Sequence, residues 1–242
     1  MLKIEFFGPS GSGKTYFKKK LINNYFTDYK VFDYRTLNFN NNRKNFFLSL
    51  YFKIIKNKNI KKIKNIFYEE KINFPFLKIF YSTYLNKVEK SFLKKKDTKK
   101  IKFIESLINN SNFNKNKKKL FLNWSKEELL ANEIAMKNKN NKQILIDSEG
   151  LIQRLFIYCY KKKNKKLIIK KYLSFINLPD LVVVFDKSYT KKNNVLKLEK
   201  NEINLIYNEV IKILKQKKVM ILESNKGIKI AAEKLNNLMF RL

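Results

Sequence analysis

Eight residues near the start of the chain restrict its fold more than any other stretch. Gly8-Pro9-Ser10-Gly11-Ser12-Gly13-Lys14-Thr15 is a complete G-x-x-x-x-G-K-[ST] pattern. It follows a short apolar run ending at Phe7 and opens a segment with helical apolar spacing. That strand, loop and helix order is the context the motif needs. The glycines let the loop wrap so that successive backbone N–H groups point inward, toward a phosphate at the positive end of the helix. Lys14 would lay a cation across the β- and γ-phosphates, and Thr15 would offer a hydroxyl to Mg²⁺. Gly8, Ser10, Gly11, Ser12, Gly13, Lys14 and Thr15 are therefore the candidate residues for binding a nucleoside triphosphate.

Five short apolar runs read as buried strands: Lys3–Phe7, Lys30–Tyr34, Gln143–Asp147, Leu181–Phe185 and Lys218–Leu222. Continuous apolar runs suit parallel strands covered on both faces. Helical spacing is found in Thr15–Tyr25, Ser125–Lys137, Leu151–Tyr160, Glu202–Lys215 and Ile228–Met239. Alternating strands and helices predict an α/β fold with a mostly parallel five-stranded sheet and right-handed crossovers. The stretch 36–142 is too long for one crossover. It is expected to be a helical insertion between the second and third strands of a single domain spanning 1–242. Lys/Asn-rich connectors are expected near 56–62, 94–100 and 109–119, and a loop at 161–166.

The net charge is +34. Lysine supplies nearly all of the positive side, 50 residues against 4 arginines, alongside 32 Asn, 27 Ile and only 4 Ala. Lys, Asn and Ile share A/T-rich codons, so codon bias accounts for a charged, solvated surface without a nucleic-acid partner. Residues that persist against that bias gain weight, above all the five glycines, three of which fall in the 8–13 loop. Residues 40–120 carry 22 basic and 5 acidic side chains. Their aromatics suit a core or a substrate pocket. The absence of histidine excludes histidine triads, ligands and proton shuttles in cis, and the single cysteine, Cys159, excludes an intramolecular disulfide. No apolar run reaches the roughly 18 residues needed to span a bilayer, and no targeting segment is visible. A cytoplasmic protein without membrane insertion is expected.

A second element, Ile144-Leu145-Ile146-Asp147, is an apolar strand ending in a carboxylate. Ligands of open α/β sheets bind at the carboxyl ends of the strands, where Asp147 would join the Mg²⁺ shell. Glu149 reads either as a helix-terminal acid or as a catalytic base. Arg154 reads either as a surface arginine or as a group that stabilises developing phosphate charge. Asp33 and Arg35, after the second strand, would grip an acceptor or pair with one another.

With these residues in place the chain resembles P-loop kinases of the thymidylate kinase and deoxynucleoside kinase type. The resemblance rests on the phosphate loop, on Arg35, on Asp147 to Arg154 (Asp-Ser-Glu-Gly-Leu-Ile-Gln-Arg), and on Leu178-Pro179-Asp180 followed by an apolar strand and Asp186. It spans about half of the chain. It implies a three-layer P-loop NTPase fold and a Mg²⁺-ATP donor. The chain departs from the family pattern in three places, one of them the 36–142 insertion, which is unlike a compact acceptor module. Ser148 stands where an arginine would follow the strand aspartate, and lysines (Lys187, Lys191, Lys192, Lys197) replace an arginine-rich lid.

The reading that follows is an ATP-dependent phosphotransferase acting on a small acceptor, a nucleotide or a sugar. Lys14, Asp147, Glu149 and Arg154 are its candidate catalytic residues, and Thr15 and Asp147 its metal-binding pair. One alternative is an ATP-binding or ATP-hydrolysing regulatory protein associated with nucleic acid. A GTPase is the other: Asp147-Ser148-Glu149-Gly150 fits Asp-x-x-Gly, but after Asn225-Lys226 the guanine motif lacks its aspartate, Gly227-Ile228 standing there.

Overall fold

The computed structural model describes residues 1–34, 37, 95–138, 140, 142–185, 199–217 and 219–239. Five strands form one all-parallel sheet: β1 (Leu2–Phe7), β2 (Lys30–Phe32), β3 (Gln143–Asp147), β4 (Leu181–Val184) and β5 (Met220–Glu223), in the order β2-β3-β1-β4-β5. In register, Glu5 of β1 lies beside Asp147 of β3, and Phe7 beside Val184 of β4. Helix α1 (Lys14–Tyr25) follows β1, and α2 (Lys95–Asn109) and α3 (Lys115–Lys137) precede β3. Between β3 and β4 come the short α4 (Leu155–Tyr158) and α5 (Lys165–Phe175). Helix α6 (Lys200–Gln216) precedes β5 and α7 (Ile228–Met239) closes the described chain.

The two faces of the sheet bury different sets of residues. Leu2, Ile4 and Phe6 of β1 join Ile144, Ile146, Leu181 and Val183 against α1 and α7. Phe7 and Val182 pack with α2, α4, α5 and α6, and Leu145 packs with Leu130, Ala131 and Ile134 of α3. Helices thus cover both faces, giving three layers, and α2 and α3 occupy the expected insertion. No described helix is long and apolar enough to cross a membrane. The aromatics between 38 and 94, and the proposed connector at 56–62, lie outside the described residues.

Several local expectations are corrected. The connectors placed near 94–100 and 109–119 are largely helical: α2 runs through Lys100, and Asn114 caps α3 by accepting the Lys117 backbone N–H at 2.9 Å. Lysine is a good helix former, and one asparagine at the cap position is enough to start the next helix. Helix α5 begins at Lys165, inside the expected 161–166 loop, and the predicted helix Leu151–Tyr160 contracts to the four residues of α4, preceded by turns. That segment is held from outside itself, by hydrogen bonds to Glu5 of β1 and to Gly8 just after it. β2 also stops at Phe32, because the Tyr34 N–H bonds instead to the side chain of Asp147.

Candidate functional site

Helix α1 leaves β1 toward one face of the sheet, and the chain after β3 leaves toward the other. β1 and β3 are neighbours, so their carboxyl ends bound a crevice where the connections diverge, the usual ligand position in an open α/β sheet. The 8–15 loop and Asp147 flank it.

The loop is wrapped rather than extended. Gly11 and Gly13 have φ of 83° and 88°, left-handed values that a side chain disfavours. The Ser12 hydroxyl donates to the Pro9 carbonyl at 2.8 Å. Gly8 is needed for a different reason. A Cβ there would lie 2.8 Å from Cβ of Phe185, just past the end of β4. Gly13 offers no side chain to cap α1, and no acidic residue sits in the first turn. The free N–H groups of that turn therefore face the loop opening with the positive end of the helix dipole. Thr15 is exposed there.

Lys14 turns inward, with its ammonium donating to the carbonyls of Gly8 and Pro9, each at 2.7 Å. Burial lowers its pKa to about 8, against the pull of Glu149. Glu149 is exposed and electrostatically coupled to Lys14. It belongs to a bend before α4 and so does not cap a helix.

Asp147 accepts the Tyr34 N–H at 3.0 Å, joining the ends of β2 and β3. Burial pushes its carboxyl up to about 7, and Asp33 adds to the rise; Lys18, the Tyr34 N–H and Arg154 work the other way. Asp33 thus lies within electrostatic reach of Asp147, whereas its intended companion Arg35 lies outside the described residues. So do Asp186 and the four lysines of the proposed lid.

Arg154 differs most from its expected place. It is 4% exposed and is gripped by Glu128 of α3 through Nε at 2.9 Å and through Nη2. Its guanidinium also lies 4.7 Å over the ring of Trp124. Burial opposes the charge on Arg154, but Glu128 outweighs it and keeps the guanidinium charged. Arg154 is therefore neither a surface residue nor a cation free for a phosphate.

No family model matches this chain, and no curated protein matches it.

Some residues at the site were not among the candidates. Lys3 and Glu5 share the α3 side of β1 with Phe7, so β1 alternates polar and apolar residues and is not the continuous apolar run expected. The Lys3 ammonium donates to Asn132 Oδ1 at 3.1 Å and to the Leu178 carbonyl at 2.9 Å. The Lys3 N–H donates to Asp180 Oδ2 at 2.7 Å, so the Leu178-Pro179-Asp180 stretch anchors the start of β1. Glu5 is buried, with its carboxyl pushed well up by burial, and one of its oxygens accepts the N–H groups of Ile152 and Gln153. Gln153 in turn accepts the Gly8 N–H at 3.1 Å and donates to the Gly8 carbonyl at 2.9 Å. The alternation in Leu-Lys-Ile-Glu-Phe was the available signal for Lys3 and Glu5; nothing local marks Glu128. Lys3, Glu5, Glu128, Asn132, Asp147 and Asn177 line a cavity of about 20 Å³. It has room for a water molecule and not for a nucleotide.

Proposed function

We propose that the chain binds a Mg²⁺-nucleoside triphosphate, ATP in the first instance, and transfers its γ-phosphoryl to a small acceptor, in the manner of a divergent P-loop kinase. The observation that carries this reading is the wrapped loop with Lys14 inside it, set beside a carboxylate on the adjacent strand. The loop N–H groups would hold the phosphates, and Lys14 would neutralise the bridging charge. Among the described residues no cluster of three or more His, Cys, Asp or Glu side chains could hold a metal ion. A Thr15 hydroxyl and the Asp147 carboxylate, together with phosphate oxygens, nevertheless make a hard-oxygen set that suits Mg²⁺ arriving with the nucleotide. When bound, Mg²⁺ would neutralise phosphate charge. Asp147 or Glu149 would orient the acceptor group, and Glu149 would also bias the position of Lys14.

The test is thermal stability with Mg²⁺-ATP, in wild type and Lys14→Ala, followed by labelled ATP with a panel of nucleotide and sugar acceptors. Ligand bound only to the folded state raises the melting temperature. A rise in wild type that is much reduced in Lys14→Ala is expected, and no rise in wild type would end the proposal. One observation favours a second reading, an ATP-hydrolysing regulatory protein: Arg154 is committed to Glu128 and so is poorly placed to stabilise a transfer. Hydrolysis without transfer to any acceptor would select it.

A further inference from the structure

To reach a polyphosphate, Lys14 must release two carbonyls, Gly8 O and Pro9 O. Both residues are buried. A buried carbonyl that loses its donor costs far more than the net worth of a hydrogen bond, so such a lysine would ordinarily be trapped. Here each carbonyl has a second donor already in place. Pro9 O receives the Ser12 hydroxyl at 2.8 Å, and Gly8 O receives Gln153 Nε2 at 2.9 Å. Gln153 Oε1 also accepts the Gly8 N–H at 3.1 Å, so its amide pairs with both polar groups of one residue, as a neighbouring strand would. This continues the ladder on the β3 side of β1 beyond the pairing of Glu5 with Asp147.

Gln153 is itself fixed from behind. Glu5 accepts its backbone N–H at 3.1 Å and also that of Ile152. Gly150 lets this turn close onto the carboxylate, since a Cβ there would lie 2.7 Å from Cδ of Glu5. Glu5, Gly150, Gln153 and Gly8 form one clasp between β1 and the segment after β3.

We infer that Gln153, seconded by Ser12, is a positioning residue that keeps the two loop carbonyls bonded while Lys14 moves from them to a polyphosphate ligand. The inference rests on the nucleotide-binding reading above. It also makes a prediction about the free protein that is opposite in sign to that of a merely structural role. Without a competing donor, Lys14 becomes the sole side-chain partner of Gly8 O and is held harder. A residue that only braces the loop would, once removed, leave Lys14 looser.

The experiment is the rate of amine acylation at Lys14, read by peptide mass spectrometry against exposed Lys19 as internal reference, in wild type, Gln153→Leu and Ser12→Ala. Acylation of Lys14 slowed about fivefold in each variant is the expected result. An equal or faster rate in folded variants overturns the inference. Should Gln153→Leu fail to fold, Gln153→Ala, which also removes the donor to Gly8 O, carries the same decision. In a second arm, Mg²⁺-ATP should protect Lys14 in wild type, with a dissociation constant about tenfold weaker in Gln153→Leu. Absence of protection in wild type overturns the nucleotide reading itself, whereas protection with unaltered variant kinetics overturns only the role of Gln153.

Discussion

At the scale of single residues, the site holds Lys14, Glu5 and Arg154 away from water and leaves Glu149 exposed. Asp147 shows the consequence for stability. Its folded pKa, about 7, lies above the ordinary carboxylate value of 3.8. Between those values the folded chain keeps a proton that the unfolded chain has lost, so this group's contribution to stability falls as pH rises through that window. Asp147→Asn removes the effect and keeps an oxygen for the Tyr34 N–H. In urea unfolding, the variant should gain on wild type by about 1–3 kcal/mol between pH 4.5 and pH 8; an unchanged difference would show that Asp147 is not so perturbed. Gly150 is constrained by packing. Its neighbour Glu5 has a flexible side chain in principle, but two backbone N–H groups hold it. Gly150→Ala should therefore destabilise by about 1–3 kcal/mol in the same assay.

At the scale of elements, α3 is the least ordinary helix. It buries Glu127, Glu128 and Asn132 among its apolar residues, and its Glu128 reaches across to Arg154 at the start of α4. The two-pronged geometry with Trp124 below it is that of a desolvated ion pair. Removing one member leaves the other charge buried, whereas replacing both with apolar groups removes the cost of desolvating both. Glu128→Ala should lose about 3–5 kcal/mol, and Glu128→Leu with Arg154→Met should recover most of it. If the double variant were as unstable as the single one, the pair would be acting through packing alone. Helix α6 is of the simpler kind, burying Ile203, Ile206, Val210, Ile213 and Leu214 at helical spacing. Such a stripe is legible from sequence; the partner of Glu128 is not, because the two residues of the pair are 26 positions apart.

At the scale of the whole molecule, charge and topology favour different ligands. A net charge of +34 attracts any polyanion. If lysine abundance reflects codon bias, duplex DNA should bind weakly, without sequence preference, and be lost near physiological salt. Fluorescence anisotropy across a salt series reads this directly. Retention of tight binding at 0.2 M salt would revive the nucleic-acid reading. Topology instead points to the crevice between β1 and β3, where the connections to α1 and α4 part to opposite faces.

The strands, their parallel arrangement and the loop at 8–15 are legible along the chain. Those follow from local patterns: short β-branched runs, helical spacing between them, and glycines where the backbone must turn left-handed. Packing in three dimensions settled which charges face one another. It committed Arg154 to Glu128, set Glu5 behind Gln153 and gave Lys14 two carbonyls to hold. These contacts join residues from separate strands and helices, and their strength comes from desolvation, which depends on everything packed around them and leaves no periodic trace along the chain.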